Sequence, residues 1–363
     1  MAPHIQRVSK YAEVSLVSSD ANAFGLSRLG FDAKLNDIKI SRTINIISDF
    51  FGFFKLVSFF RLHRFHCIHS MTPKAGLLSM LAATLVGVPL RIHTFTGQVW
   101  ATRSGLPRYF LKFLDIAIGF MATNLLVDSP SQRDFLIANH VVKGKKVTVL
   151  GMGSIVGVDA ERFAPNDVAR SRIRAELGIG ISEFVYIYVG RLKQEKGIED
   201  LFDAFNKVSS IYSDAHLLLV GPDEEGYDTR ISKLTSDNQI KVHRVQFTDS
   251  PESFMAAADV ICLPSYREGF GSVLIEAAAV GLPAIATSIY GITDAVINGV
   301  TGLLYKPGQV SDLVLLMSQM REDELSIERM GVAAQKRARE SFCQNQLVDA
   351  FDEYYREIGV YKA

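Results

Sequence analysis

VICLPSYREGFGSVLIEAAAVGLP, residues 260–283, has the pattern of a buried strand, a glycine-rich loop and a helix. Glu268 lies in the loop and Glu276 about one turn into the helix, so both carboxylates are expected near the carboxyl end of the strand. Ligands bind at this edge of open α/β sheets, and two carboxylates suit a ligand rich in hydroxyl groups, such as a sugar or a ribose. Gly269 and Gly271 would let the backbone approach that ligand closely. The simpler alternative is a solvated loop glutamate and a helix-surface glutamate.

Short apolar runs alternate with longer helical patterns along the whole chain, which predicts an α/β protein with two doubly wound parallel sheets. The predicted strands are residues 13–17, 67–69, 91–94, 125–127 and 146–150 in the first half, and 184–189, 215–220, 241–245, 260–263, 284–286 and 302–304 in the second. Residues 158–182 are poor in strand signals and are interpreted as a linker and the entry into the second sheet. The predicted domains are residues 1–165 and 166–340, with a helix at about 341–363 that packs back on the first domain.

The composition agrees with two folded domains. The 363 residues are too many for one ordinary core, and 48% of them are hydrophobic. Residues 1–165 carry 19 Lys and Arg against 10 Asp and Glu, whereas residues 166–363 carry 20 against 29. The basic first half is expected to face something anionic, such as a membrane surface or a lipid phosphate. No basic run or known signature supports nucleic acid as the partner.

The cysteines and the apolar segments indicate where the protein works. Cys67, Cys262 and Cys343 lie far apart and lack the spacing of a zinc site, which fits a reducing cytoplasm. The sequence lacks the apolar segment of a signal peptide and any run of about 18 apolar residues, so a spanning helix is not expected.

Two cations flank the turn that follows the predicted strand 184–189. In GRLKQEKG, residues 190–197, Arg191 offers a planar fork for phosphate oxygens and Lys196 a mobile charge. A helix is predicted to begin at about Glu199, and its N-terminus would add a partial positive charge. The segment therefore predicts an anion site, with an ordinary basic surface loop as the alternative. A diphosphate site on one strand edge and a hydroxyl-binding site on another describe a nucleotide-sugar pocket.

These motifs resemble those of a known family, the retaining glycosyltransferases of family 4, which have the two-domain GT-B architecture. The segment 190–197 resembles that family's phosphate-binding motif, and Glu268 with Glu276 resembles its E-x7-E motif. The segment 281–304 follows as it does in the family. In the first half, the segments 71–76, 91–97 and 153–163 resemble a subgroup that builds bacterial surface polysaccharides such as O-antigen and capsule.

The resemblance implies a role for each matched residue of the second half. Glu276 would bind the ribose hydroxyls and Glu268 the donor sugar, while Arg191 and Lys196 would neutralise the leaving diphosphate. The implied donor-binding residues are Gly190, Gly197, Gly269, Phe270, Gly271, Ser272, Glu276 and Phe247. Phe247 replaces a glycine-bearing turn of the relatives and would border the base. No Asp-x-Asp motif is present, so no metal is expected, and no cofactor is expected either. The same-face attack described for such enzymes implies that no enzyme nucleophile is required.

The first half supplies a further candidate for catalysis, His93, and the acceptor-side candidates Lys74, Thr96 and Gly97. His93 is predicted to end a strand and to contact the donor sugar, and a core histidine bonded to backbone is the alternative. Thr96 replaces a second histidine that relatives often carry. Lys74 follows Pro73 at a predicted helix start, where it would bind an acceptor phosphate or lie on the helix surface.

Aromatic and basic residues are interleaved in two segments of the first half. The run 49–61 holds six phenylalanines, and the run 103–114 mixes aromatic residues with Arg and Lys. Either would suit a membrane interface, and packing of the phenylalanines on the sheet is the alternative. The expected acceptor is a polyprenyl-pyrophosphate-linked saccharide. The expected location is the cytoplasm, in peripheral contact with the inner face of the cytoplasmic membrane.

The N-terminus departs from the family pattern. A Rossmann-like domain should begin with a buried strand and a glycine-bearing loop, but residues 1–11 have a helical pattern that leads into the strand 13–17. The first strand is therefore predicted to be missing, either through a start downstream of the true one or through truncation. Losing a central strand leaves unpaired edges, so we expect reduced stability and activity.

The resemblance implies transfer of a hexose or an N-acetylated amino sugar from a nucleotide donor, with UDP as the favoured nucleotide, to a lipid-linked saccharide. Two alternatives stay open. One is an enzyme of the UDP-sugar epimerase kind on the same architecture, and the other is an inactive, truncated remnant that binds nucleotide. The spacing of Glu268 and Glu276, together with the segment 190–197, favours transfer.

Overall fold

The structure is a computed structural model that describes residues 1–18, 33–40, 45–238 and 240–361. The chain divides into two compact units, one formed by residues 1–156 with 345–363 and the other by residues 157–344. Each unit contains parallel sheet and helices, which confirms the predicted α/β class.

Residues 1–156 form two parallel sheets. The smaller pairs β1 (Val14–Ser18) with β2 (Ala33–Asp37), and the larger has the order β3 (Cys67–Ser70), β4 (Leu90–Phe95), β5 (Asn124–Val127) and β6 (Val147–Val149). The helices are α1 (Ala2–Val8), α2 (Ile46–His63), α3 (Pro73–Val86), α4 (Gly105–Met121) and α5 (Pro130–Ala138). Helix α2 packs on α3, which packs on α4. Helices α2 and α5 begin after Asn45 and Ser129, whose side chains cap them by accepting a hydrogen bond from a backbone N–H of the first turn.

Residues 157–344 form one parallel sheet. Its strands are β7 (Phe184–Val189), β8 (Ala215–Val220), β9 (Val242–Val245), β10 (Val260–Leu263), β11 (Ala284–Thr287) and β12 (Gly302–Tyr305), in the order β12-β11-β10-β7-β8-β9. The helices are α6 (Asp167–Glu176), α7 (Ile198–Ile211), α8 (Tyr227–Asn238), α9 (Pro251–Ala256), α10 (Ser272–Val280), α11 (Ile292–Ala295), α12 (Val310–Glu322) and α13 (Glu324–Ser341). Strands β7 and β8 are buried along nearly all of their length, as expected where helices cover both faces of a sheet, and His216 is the one residue of the two strands outside the apolar and aromatic types.

The last helix, α14 (Gln344–Glu357), belongs with the first unit. Its buried residues Phe351, Tyr354 and Tyr355 share one core cluster with Ile92 of β4 and Leu126 of β5. The helical pattern predicted for this segment is confirmed.

Every strand predicted from the sequence is present, with boundaries that differ by one residue at most. Two elements were missed. Strand β2, AKLND, is short and polar and lacks the apolar run that marked the others. Helix α6 lies inside the strand-poor segment 158–182, in the part that leads into the second sheet, where no helix was specified. Asn166, which caps α6 by accepting from the Ala169 N–H, was the available signal.

Arg174 on α6 is 1% exposed and holds together several backbone segments. Its guanidinium pairs with Asp259 at 2.9 Å and donates to four carbonyl oxygens, those of Gly180, Ile181, Glu183 and Ala257. These contacts link α6 to the residues that precede β7 and β10.

We predict that Arg174→Met lowers the free energy of unfolding by about 3 kcal/mol, because it leaves buried carbonyl groups without their donor and removes a cation from Asp259. Arg172→Met is the matched control on the same helix. Arg172 is exposed and pairs with Glu176 across one turn, so its loss should cost less than about 0.5 kcal/mol. Urea denaturation measures both variants, and equal losses would contradict the assigned role of Arg174.

Candidate active site

The two predicted motifs begin where the strand order of the second unit reverses. Strands β7 and β10 are neighbours in the sheet, although β8 and β9 separate them in the chain. Gly190 follows β7, and Pro264 follows β10. Ligands of doubly wound sheets bind at such a reversal, outside the carboxyl ends of the strands.

Gly197 joins the two motifs through a backbone contact. Its φ is 70°, and a Cβ at this position would lie 2.1 Å from the carbonyl oxygen of Pro264. Only glycine permits so close an approach. The loops also meet at Tyr266, whose N–H donates to the carbonyl oxygen of Glu195 at 3.0 Å. The contact places Lys196 beside the loop that carries Glu268.

Lys196 and Glu268 form an ion pair. Nζ of Lys196 lies 2.6 Å from Oε1 of Glu268, and Ser265 Oγ donates to the same oxygen at 2.8 Å. Both side chains are largely buried, with 17% and 13% of their surface exposed. The structure thus brings together a predicted diphosphate cation and the predicted sugar-binding carboxylate.

Arg191 pairs with a carboxylate that sequence reasoning missed. Its guanidinium lies 3.1 Å from Glu224, in the loop after β8, and Lys193 lies 2.8 Å from the same carboxylate. Tyr188 supports the turn, since its hydroxyl donates to the carbonyl oxygen of Arg191 at 2.7 Å. Lys193 was also missed. Its position two residues after Arg191, in a segment with few helical signals, was the available clue.

Glu276 lies on α10, which begins after Gly271 in a left-handed conformation with φ 77°. Burial raises the pKa of Glu276 to about 7; the charge of Arg162 opposes this shift and that of Glu252 adds to it. Arg162 and Glu252 themselves pair at 3.0 Å. A buried carboxyl with such a pKa is stabilised in its ionised form by hydrogen-bond donors, which ribose hydroxyls would supply. Arg162, in the predicted linker, was not anticipated as a neighbour.

The remaining donor-side candidates differ in exposure. Phe270, between Gly269 and Gly271, is 2% exposed and packs edge-on against Phe342, so its side chain belongs to the core. The predicted close approach of the backbone at Gly269 and Gly271 does not depend on this side chain. Ser272 is exposed at the start of α10. Phe247 is 73% exposed after β9, and its contact with a base stays a prediction.

His93 lies inside β4 rather than at its end, which corrects the predicted position. The side chain is 1% exposed, Nδ1 lies 2.8 Å from Ser70 Oγ, and the ring packs edge-on against Phe95. A Cβ at Gly76 would lie 2.4 Å from the ring, so the histidine is closely covered. Burial lowers the pKa of His93 to about 3, so the ring is neutral at physiological pH. These surroundings match the alternative of a core histidine.

The three acceptor-side candidates are placed by α3 and β4. Lys74, in the first turn of α3, lies 2.5 Å from Asp49 on α2. Thr96 is exposed directly after β4, and its hydroxyl donates to the carbonyl oxygen of Met71 at 3.4 Å. Gly97 follows with φ 116°. Within the described ranges of the chain, no three His, Cys, Asp or Glu side chains are grouped so that they could hold a metal ion.

Comparison with known proteins identifies matches for both halves. Residues 169–337 match the model of the family glycosyl transferases group 1, and residues 25–153 match that of the glycosyl transferase 4-like domain. The capsular polysaccharide biosynthesis glycosyltransferase CapM of Staphylococcus aureus is 30% identical over 350 residues, which are 95% of this chain and 90% of CapM.

A more distant relative and a solved structure agree with these matches. The UDP-Gal:alpha-D-GlcNAc-diphosphoundecaprenol alpha-1,3-galactosyltransferase of Escherichia coli is 25% identical over 317 residues, which are 86% of this chain and 78% of that protein. The crystal structure of Anabaena HepE in complex with UDP-glucose is similar with a TM-score of 0.80 at 19% identity, covering 98% of this chain and 94% of HepE. This similarity confirms the predicted GT-B fold.

We predict that Glu276→Gln stabilises the fold at alkaline pH. Burial raises the pKa of this carboxyl to about 7 in the folded chain, against a usual pKa of 4.5. The unfolded chain therefore loses this proton at a lower pH than the folded chain does. The stability of the fold is unaffected by Glu276 below pH 4.5 and falls as the pH rises from 4.5 through 7. Glutamine does not ionise, so the free energy of unfolding of the variant should exceed that of the parent by about 1–3 kcal/mol at pH 8 and by little near pH 4.

Thermal unfolding between pH 4 and 8 measures the effect. Glu340→Gln, on the exposed face of α13, removes the same charge and is the control. If Glu276→Gln gave the same difference from the parent at every pH, burial of an ionising Glu276 would be ruled out.

Proposed function

This chain belongs to the glycosyl transferases of group 1, and we propose that it is a retaining, metal-independent enzyme of surface polysaccharide biosynthesis. It moves a hexose or an N-acetylated amino sugar from a UDP-linked donor to a polyprenyl-pyrophosphate-linked saccharide. Residues 166–340 bind the donor. Residues 1–165, with the C-terminal helix at about 341–363, serve the acceptor.

The observation that carries this proposal is the convergence of the two motifs at the reversal of the second sheet. Lys196 and Glu268 are in contact there, although 72 residues separate them in the chain. Arg191 lies on the same loop as Lys196. A nucleotide sugar needs cations for its diphosphate and carboxylates for its hydroxyl groups. The loop after β7 provides the cations, and the segment after β10 provides the carboxylates.

Donor binding exchanges the partners of this ion pair. The donor's phosphate oxygens take the ammonium group of Lys196, and a sugar hydroxyl donates to the released carboxylate of Glu268. Ser265 keeps that carboxylate oriented, since its hydroxyl reaches the same oxygen at 2.8 Å. The ammonium group then faces a phosphate and the carboxylate keeps hydroxyl donors, so binding leaves neither charge buried without a partner.

The reaction needs no protein nucleophile. The acceptor hydroxyl attacks the anomeric carbon on the face that the diphosphate leaves, the bond from that carbon to the phosphate oxygen breaks, and the acceptor's proton passes to the phosphate. Arg191 and Lys196 stabilise the negative charge that develops on the leaving group. Glu276 holds the ribose, and exposed Phe247 borders the base. The burial of His93 favours a structural role for it, while Lys74, Thr96 and Gly97 remain the acceptor-side assignments.

The relatives support the choice of donor and acceptor. The Escherichia coli relative is named for UDP-Gal as donor and a diphosphoundecaprenol-linked GlcNAc as acceptor, and HepE was crystallised with UDP-glucose. CapM acts in capsular polysaccharide biosynthesis. We extend the nucleotide, the lipid-linked acceptor and the pathway class to this chain on that basis.

Two helices of the first unit supply a surface for a membrane-bound acceptor. Large apolar side chains on α2 and α4 are between 49% and 88% exposed: Ile46, Ile47, Phe50, Phe51, Phe54, Leu106, Tyr109, Phe110, Phe113 and Phe120. Arg108 and Lys112 lie over the ring of buried Trp100, each at 5.7 Å, so α4 also presents fixed cations. Of the phenylalanines in the run 49–61, Phe60 is part of a core cluster, and Phe53 and Phe59 are partly buried against that cluster. None of the helices described here is both long and apolar enough to cross a membrane.

We propose that this surface, α2 and α4 with their exposed apolar side chains, lies in the interface of the inner face of the cytoplasmic membrane. The aromatic rings would enter the headgroup region, and the cations would contact anionic lipids.

A donor screen tests the proposed reaction. We expect UDP release from one UDP-sugar when membrane extract supplies the acceptor, and a fall of at least about 100-fold in kcat/KM for Arg191→Ala and for Glu276→Ala. Lys207→Ala, on the exposed face of α7, is the control and should keep full activity. Epimerised free donor without an acceptor, or UDP binding without any turnover, would overturn the assignment as a transferase.

Vesicle cosedimentation tests the membrane surface. The double variant Phe110→Ser, Phe113→Ser should bind phosphatidylglycerol vesicles about tenfold more weakly than the parent at low salt. High salt should weaken the binding of the parent to the same vesicles. Leu315→Ser with Leu325→Ser changes two exposed leucines of the other unit and is the control. Binding that is equal for the two double variants would remove the claim.

A further inference from the structure

Glu224 forms two ion pairs that have no part in the proposed reaction. Its carboxylate lies 3.1 Å from the Arg191 guanidinium and 2.8 Å from Lys193 Nζ. Both cations lie on the loop assigned to the diphosphate. A phosphate oxygen and a carboxylate oxygen accept from the same N–H groups, so Glu224 and a diphosphate compete for them.

The backbone keeps Glu224 beside this loop. Leu192 donates its N–H to the carbonyl oxygen of Pro222 at 2.8 Å, and Glu224 donates its own N–H to the carbonyl oxygen of Leu192 at 3.3 Å. A Cβ at Gly221 would lie 2.0 Å from the carbonyl oxygen of Gly190, so the two loops are in direct backbone contact. The carboxylate can therefore leave the cations by rotating its side chain, but it stays within reach of them.

Glu224 carries its charge at neutral pH. Partial burial favours its neutral form, but the hydrogen bond from Lys193 and the charges of Arg191 and Lys193 outweigh burial and hold the pKa of Glu224 below its usual range. With 29% of its side chain exposed, the pair it forms is open to exchange with a competing anion.

We infer that Glu224 is an internal anion that competes with the diphosphate for Arg191 and Lys193, and that it favours release of the nucleoside diphosphate product over release of the donor. The inference rests on the proposed function. In the donor the two phosphates carry about two negative charges, whereas the free product carries close to three, because its terminal phosphate ionises a second time near pH 6. A carboxylate that stays within reach of the same cations opposes the more highly charged product more strongly.

Glu224→Gln tests this inference, with Glu225→Gln as the matched control. Glu225 is the next residue and carries the same charge, but its carboxylate accepts from the backbone N–H of Gln194 at 2.7 Å, a contact that glutamine can keep. Calorimetry on the full chain would compare UDP with UDP-glucose at low and at high salt. Thermal unfolding of each variant confirms that it is folded.

We expect Glu224→Gln to bind UDP about fivefold more tightly than the parent, the scale of one partly exposed ion pair, with a smaller gain for UDP-glucose. The gain should shrink at high salt, and Glu225→Gln should change little. If the parent binds UDP and Glu224→Gln binds it no more tightly, or if both variants gain equally, the inference is wrong while the proposed function stands. If the parent binds no UDP, both are wrong.

Discussion

The backbone contact between Gly197 and Pro264 is the constraint on which the donor-side site depends. At the 2.1 Å separation found for a Cβ at this position, any side chain would push the loop after β7 away from the loop after β10. Lys196 would then lose Glu268, and Tyr266 would lose the carbonyl group of Glu195. A residue without chemistry of its own thus sets the geometry of the charged residues on either side.

The charged groups around this contact are largely balanced by one another. Lys196 pairs with Glu268, Arg191 and Lys193 pair with Glu224, and Arg267 pairs with Glu195. Such pairing holds long side chains in defined positions, which lowers the entropy that a ligand must remove on binding. A ligand that bound as proposed would therefore exchange partners with these groups rather than meet unopposed charges.

Glu276 shows the opposite arrangement. Its carboxyl is buried, and Arg162, the cation whose charge acts on it, is paired with Glu252. Burial raises the pKa of Glu276, so ionisation there opposes folding at neutral and alkaline pH. Residues that bind ligands are often kept at such a cost to stability.

Local pattern accounts for what could be predicted from the sequence. The strands could be predicted because both faces of a parallel sheet are covered, which makes a strand such as β7 a continuous run of apolar and aromatic residues. Glu268 and Glu276 could be predicted as site residues because they are close together in the sequence. Glu224 and Arg162 could not, because their partners lie tens of residues away in the chain and no local sequence pattern indicates such contacts. The burial of His93 likewise depends on Gly76 of α3, which the strand pattern does not place.

The packing of α14 sets an order in which the units can fold during synthesis. Phe351 and Tyr355 complete a core cluster that also holds Val8 and Ile92, so the unit that begins the chain cannot close this cluster until its last helix has left the ribosome. Residues 157–344 form a continuous unit and meet no such delay. The first unit therefore cannot finish folding before the second has been synthesised, unlike the usual order of N-terminal domains before C-terminal ones. Until α14 is made, the apolar residues around Ile92 lack part of their cover.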